Sequence, residues 1–206
     1  MKQLNSIPKT KVIRPKILYY GMPVILLNTL NEDGTVNISP MSSSWALGDS
    51  IVLGIGPGSK ALENVQRHPE CVINVPGPEL WKQVEQLAPY TGRSPVPDFK
   101  KQMGFTYHKD KFERSGLTPV PSMAVKPARI AECPLQIEAQ VRHIRISDSA
   151  LPFAIVETQA IQVHAHEEII LGEHHISPNR WSPLIYNFRH YFGLGRALGK
   201  TFKSET

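Results

Sequence analysis

The sequence predicts a mainly β protein: a six-stranded antiparallel β-barrel with small helices outside it. Three observations carry this. Apolar, β-rich runs at Val24–Leu30, Ile51–Ile55 and Cys71–Val75 read as strands. Asp33-Gly34 lies between the first run and Thr35-Val36-Asn37-Ile38, the pattern of a tight hairpin. Later, Leu135–Val141 alternates polar and apolar residues strictly. Phe153–His166 offers a second long strand, with Ile155, Glu157, Gln159, Ile161 and Val163 on one face. About six antiparallel strands suit a barrel better than a doubly wound sheet.

Taken in order, residues 1–23 hold three prolines and scattered charge, which predicts an arm (1–16) leading into the core. Two segments of small polar residues separate the early strands. One is Ser39-Pro40-Met41-Ser42-Ser43-Ser44-Trp45. The other is Gly56-Pro57-Gly58-Ser59-Lys60, which opens a helix over Ala61–Arg67. Glu79–Leu87 is predicted helical, entered through Pro78, with Leu80, Val84 and Leu87 on one face. Six prolines deny long regular structure to residues 88–128, a candidate lid. Within it, Lys109–Arg114 reads as a helical turn stopped by Ser115-Gly116. Trp181–Leu194 reads as an aromatic C-terminal strand packed on the core or on a second subunit, with 196–206 a tail.

At 206 residues and 41% hydrophobic content, the chain is expected to be one domain, 1–206, with a packed core. No apolar run approaches the roughly 18 residues of a membrane span, and the N-terminus has no signal-peptide core. Two cysteines, Cys71 and Cys133, do not make a disulfide framework, so a cytoplasmic location is expected. The formal charge of +5 is spread along the chain, densest near Lys9–Lys16 and Arg196–Lys203. No basic face with interleaved aromatics emerges, so no nucleic-acid partner is expected. A mild positive surplus suits anionic small molecules.

Both polar segments suit a phosphate. Small residues let a ligand approach backbone N–H groups, and hydroxyls add donors. A helix N-terminus adds unpaired N–H groups and partial positive charge. Ser59 at the cap and Lys60 beside it would add a hydroxyl and a full charge. Other constellations fare worse. Gly56-x-Gly58-x-x-Ala61 imitates a dinucleotide fingerprint, but that turn belongs to a βαβ crossover, and here it follows a hairpin and contains Pro57. His164 and His166 have workable ligand spacing on a strand, but no carboxylate or thiolate is placed to complete a site, so no metal is expected. There is no G-x-S-x-G elbow, and Glu138 reads as structural.

The order of these motifs resembles the flavin reductase-like branch of the FMN-binding split-barrel proteins. The residues that carry it are Asn37-Ile38-Ser39-Pro40-Met41-Ser42-Ser43, Ser59-Lys60-Ala61, Cys71-Val72-Ile73-Asn74, Lys111–Leu117 and Ile130–Glu138. The resemblance spans roughly residues 17 to 195. The family often has Thr where Ala61 stands, which puts more weight on Ser59, Lys60 and Ser42–Ser44. The resemblance implies a six-stranded split barrel of Greek-key type, forming a homodimer with FMN near the interface. Ser39, Pro40, Met41, Ser42, Ser43 and Ser44 would hold the isoalloxazine and ribityl parts. Ser42, Ser43, Ser59 and Lys60 would hold the phosphate, with Asn74 and Arg189 nearby. His164, with His166 second, would position the nicotinamide. The implied reaction is reduction of flavin by NADH or NADPH, the hydride passing from nicotinamide C4 to flavin N5 with little acid–base help. A flavin-dependent monooxygenase served by diffusing reduced flavin is an implied partner. The alternatives are a non-catalytic FMN carrier or electron-transfer flavoprotein, or a module for another anionic cofactor such as haem.

Overall fold

A computed structural model of the chain describes residues 8–202 and 204. Residues 1–7 of the expected arm, and 203, 205 and 206 of the expected tail, lie outside the described residues; residues 8–19 have no regular secondary structure. Strand β1 (Tyr20–Pro23) leads into β2 (Ile25–Leu30), β3 (Val36–Met41), β4 (Ser44–Leu47) and β5 (Ser50–Ile55). Helix α1 (Lys60–Arg67), strand β6 (Glu70–Val75) and helix α2 (Trp81–Leu87) follow. The proline-rich stretch carries α3 (Asp98–Gln102), α4 (Lys111–Ser115) and the short strands β7 (Pro119–Val120) and β8 (Arg129–Ile130). Then come the long strands β9 (Leu135–Ile146) and β10 (Ala154–Ala165). The chain closes with β11 (Ile170–Leu171), β12 (His175–Ile176), β13 (Ile185–Asn187) and β14 (His190–Phe192).

Seven strands form one antiparallel sheet in the order β3-β2-β6-β9-β10-β5-β4. Its outer strands, β3 and β4, are joined only by Ser42 and Ser43. In a flat sheet they would stand six strand spacings apart, about 29 Å. Two residues can join them only because the sheet curls round on itself. The Gly54 N–H donates to the Ser43 carbonyl at 2.7 Å and holds that corner. The result is a split β-barrel.

The six strands expected from the sequence are therefore seven. Ser44–Leu47, read from the sequence as the end of a polar segment, pairs with β5 from Ser44↔Leu53 to Leu47↔Ser50. Likewise the helix expected over Glu79–Leu87 begins as a 3-10 turn at Pro78–Leu80 and becomes α-helical from Trp81.

Burial explains the sequence pattern. Strand β2 is apolar on both faces because both faces are covered: Ile25 and Leu27 join one core cluster with Leu53, Val65 and Val156, while Leu26 and the preceding Val24 join another with Val84, Leu87 and Leu184. A strand buried on both sides reads as a continuous apolar run. The buried face of α2 supplies Val84 and Leu87 to the second cluster. Helix α4 stops at Gly116, whose φ of 68° is left-handed and suits glycine. All pairings in the sheet are antiparallel, so the Gly56–Gly58 turn enters no βαβ unit. Among the described residues, no helix is long and apolar enough to cross a membrane.

Candidate functional site

A cavity of about 920 Å³ opens at the corner where β3 turns into β4. That volume lies in the range typical of small-molecule and cofactor sites. Its floor is Ser39–Ser43 and the Gly54–Pro57 turn, with the Ser59 cap of α1 at one end. The segment from Thr91 to Phe105 forms a second side, contributing Phe99, Lys100, Met103 and Phe105.

The third side is an aromatic wall. Tyr19 meets Tyr186 edge-on at 5.6 Å between ring centroids, Tyr186 meets Tyr191 at 5.7 Å, and Trp81 lies 6.4 Å beyond Tyr191. The Tyr191 hydroxyl donates to Glu85 Oε2 at 2.9 Å; burial and that carboxylate push its phenol well above the usual range. The Tyr19 and Ser43 hydroxyls are 2.5 Å apart, so the aromatic wall and the serine corner are bonded to each other.

The charge of the lining is one-sided. It carries Lys100 and Arg189 and no aspartate or glutamate. Arg189 is presented by the two-residue β13–β14 turn, in which Phe188 and Arg189 have φ of 45° and 69°. Two successive positive φ values mark a hairpin turn that matches strand twist. The Phe188 N–H donates to the Tyr19 carbonyl at 2.7 Å and anchors the turn to the cavity rim. Lys100 is buried, with Nζ 3.2 Å from the Thr91 carbonyl oxygen and 4.8 Å from the centre of the Phe105 ring. Burial pushes its ammonium pKa down to about 8.

The structure brings together Ser39, Pro40, Met41, Ser42, Ser43, Ser59 and Arg189 of the residues singled out by sequence. The Ser39 hydroxyl accepts from Asn37 Nδ2 at 3.1 Å. Ser59 Oγ accepts from the Leu62 N–H at 3.3 Å and caps α1. Ser44 is buried at the start of β4 and lines a different cavity, of about 970 Å³, on the far side of Ser43 with Trp45, Arg142 and Phe153.

Besides Ser44, three expected site residues lie outside the cavity, namely Lys60, Asn74 and His164. Lys60 Nζ is held by Glu32 Oε2 at 2.9 Å and Glu63 Oε1 at 2.5 Å. Burial would depress its pKa, but the two carboxylates outweigh burial and hold it above the ordinary range. Asn74 is fully buried; Nδ2 donates to the Leu26 carbonyl and Oδ1 accepts from the Ile130 N–H, both at 3.0 Å, pinning β8 to the sheet. His164 Nε2 lies 2.7 Å from Glu138 Oε1. That carboxylate also accepts from the N–H groups of Met123, Ala124 and Val125. Burial pushes Glu138 up, but the Met123 and Ala124 N–H groups, His164 and the Val125 N–H prevail and hold it below the usual carboxylate range. His166 Nε2 lies 2.8 Å from the Ala131 carbonyl oxygen. Among the described residues, no group of three or more His, Cys, Asp or Glu side chains could hold a metal ion.

Tyr19, Thr91, Phe99, Lys100, Phe105 and Tyr186 line the cavity without having been singled out. Tyr186 had a signal, since it precedes the Arg189-His190-Tyr191 group by three residues. Lys100 had none: it sits in Asp98-Phe99-Lys100-Lys101-Gln102, inside the proline-rich stretch 88–128 that the sequence leaves without long regular structure.

Comparison with known proteins bears on the family and the fold. Residues 18–195 match the flavin reductase like domain. The uncharacterized protein YdfE of Bacillus subtilis (strain 168) is 64% identical over 196 residues, covering 95% of each chain. Among solved structures, flavoredoxin of Desulfovibrio vulgaris (Miyazaki F) superposes with a TM-score of 0.79 at 20% identity, covering 96% of this chain and 100% of its own. Nitrilotriacetate monooxygenase component B from Bacillus cereus gives 0.72 at 13% identity, with 90% and 89% covered.

Proposed function

Because the chain belongs to the flavin reductase-like family, we propose that it is an FMN-binding oxidoreductase that reduces flavin with NADH or NADPH. One observation supports this most: a cavity of flavin size lined by hydroxyls, aromatic rings and two cations, with no carboxylate. Such a lining favours a flat apolar ring system bearing an anionic tail.

The bound flavin supplies the hydride-accepting ring, so the protein needs no proton-transfer triad. The Ser39–Ser43 corner lets a planar ring approach the backbone closely. Tyr19, Tyr186 and Phe99 exclude water from its edges. Arg189 holds positive charge where negative charge builds up during reduction. Ser59, whose Oγ accepts from the Leu62 N–H as the cap of α1, donates its O–H toward the anionic end. Lys60 and Asn74 act indirectly in this reading, Lys60 by tying α1 to the β2–β3 turn and Asn74 by fixing β8. His164 serves to hold the 123–125 loop through Glu138.

We also propose a homodimer. Trp45, Leu47, Ile161 and Val163 are large apolar side chains exposed on strands β4 and β10. Apolar groups clustered on one sheet favour coverage by a second copy. A monooxygenase supplied with reduced flavin is a fitting partner, given the likeness to a protein named as a monooxygenase component. Quenching of flavin fluorescence on titration with the protein tests the binding step. Saturable FMN quenching is expected, and its absence would refute the proposal.

A further inference from the structure

We infer that the basic arm preceding β1 makes the protein selective for NADPH over NADH, with Lys16 meeting the diphosphate and Arg14 the 2′-phosphate. This rests on the flavin-reductase reading above, in which the nicotinamide enters the cavity at the serine corner. Residues 8–16 hold Lys9, Lys11, Arg14 and Lys16 and no aspartate or glutamate. All four cations are exposed, and among the described residues none makes an ion pair. Other exposed cations do find carboxylates: Arg67 pairs with Glu32, Lys101 with Asp98 and Lys109 with Asp33. Like charges this close along a chain repel, so the arm gains from an anion settling along it.

The arm is rooted in the cavity wall. Ile17 and Tyr19 both line the cavity. Tyr19 is held at two points: its hydroxyl bonds that of Ser43 at 2.5 Å, and its carbonyl accepts from the Phe188 N–H at 2.7 Å. The same turn presents Arg189 to the cavity, so the arm starts beside a lining cation. Lys16 adjoins Ile17 directly. A chain extends at most ~3.6 Å per residue, so the Cα of Lys16 lies within about 11 Å of Tyr19 and that of Arg14 within about 18 Å. A dinucleotide with its nicotinamide at the cavity floor carries the diphosphate outward first and the adenine ribose next. The arm presents its nearest two cations in the same order. A lysine is a point charge, suited to the diphosphate that both nucleotides share. An arginine offers two parallel N–H donors to the phosphate monoester that NADPH alone carries. An acidic protein surface would also be drawn to this arm, but only the dinucleotide must pass its root to react.

The test is calorimetric titration of FMN-saturated, full-length wild type, Arg14→Gln and Lys16→Gln with ADP-ribose and with 2′-phospho-ADP-ribose, alongside bleaching of the bound flavin by NADH and NADPH. Wild type is expected to bind the 2′-phosphorylated ligand at least about 10-fold more tightly, the scale of a charged hydrogen bond, and the preference should shrink as salt rises. Arg14→Gln should lose most of that preference while ADP-ribose binding changes by less than about threefold. Lys16→Gln should weaken both ligands alike. FMN affinity should be the same in all three proteins. Wild type that binds both ligands equally, with its flavin bleached as fast by NADH as by NADPH, would overturn the inference and leave the reductase reading intact. Flavin that neither nucleotide bleaches would overturn both. A preference that survives Arg14→Gln would also overturn the inference and leave the arm to another anion, such as an acidic protein surface. Loss of FMN binding together with both ligands in Arg14→Gln would make the arm structural and overturn it as well.

Discussion

Lys111 Nζ sits 2.5 Å from Asn37 Oδ1 and 2.9 Å from the Ile38 carbonyl oxygen, and it is the most deeply buried ammonium of those discussed, 1% exposed. Asn37 in turn donates to Ser39 Oγ, so this lysine braces the strand that floors the cavity. Burial, with Lys100 and Lys60 adding repulsion, lowers its pKa to about 7.

That shift makes a stability prediction. Below pH 7 the lysine is charged in both folded and unfolded chains, and the folded state bears the full cost of the buried charge. Between pH 7 and about 10.5 the unfolded chain binds more protons than the folded one, so stability rises with pH by up to about 1.4 kcal/mol per unit. Urea unfolding of wild type and Lys111→Met should show wild type gaining about 2–3 kcal/mol on the variant from pH 7 to 9. Parallel profiles would contradict this.

Glu138 gathers three backbone N–H groups and His164 onto one buried carboxylate. Glu138→Gln replaces an acceptor oxygen with a donor facing those N–H groups. The expected loss is about 2–4 kcal/mol in denaturant unfolding, because breaking a buried charged network leaves its partners unsatisfied. A loss below about 0.5 kcal/mol, the scale of ordinary surface changes, would show that the loop is held by other contacts.

Gly58 has φ of 68°, and a Cβ there would lie 2.9 Å from Pro97 Cγ and 3.1 Å from Phe99 Cζ. Gly58→Ala should therefore cost about 1–2 kcal/mol from the backbone conformation alone. It should also lift Pro97 and Phe99 from the cavity rim. Hydrogen exchange is the readout: residues 97–105 should lose protection more than β9 does. Unchanged exchange in 97–105 would contradict this.

Trp45→Glu places a charge among the exposed apolar residues of β4. The proposed homodimer predicts a shift to monomer in sedimentation velocity at micromolar concentration. Wild type that sediments as a monomer would refute the dimer.

The sequence made some of this legible for physical reasons. The Asp33-Gly34 hairpin and the strand at β9 are local signals and both formed, but the face of β9 expected to be solvated buries Gln136 and Glu138. The serine corner was legible as chemistry but not as geometry, since Ser44–Leu47 becomes a strand only by pairing with β5. Lys60 lies beside the Ser59 cap in sequence, but Glu63 on the next turn and Glu32 in the β2–β3 turn capture its ammonium. Lys100, forty residues later, is brought to the same end of α1 by main-chain bonds between non-local segments. No periodicity encodes such a contact. Asn74 and His164 look like site residues in a linear string, but each satisfies buried polar groups, which only the folded chain reveals.

The most direct test of the central claim is an anaerobic absorbance titration of the purified protein with FMN, followed by NADH and then NADPH. The account predicts saturable FMN binding and rapid bleaching of the flavin band by one of the nucleotides. FMN binding with no bleaching by either nucleotide would contradict the reductase and favour a carrier or electron-transfer role.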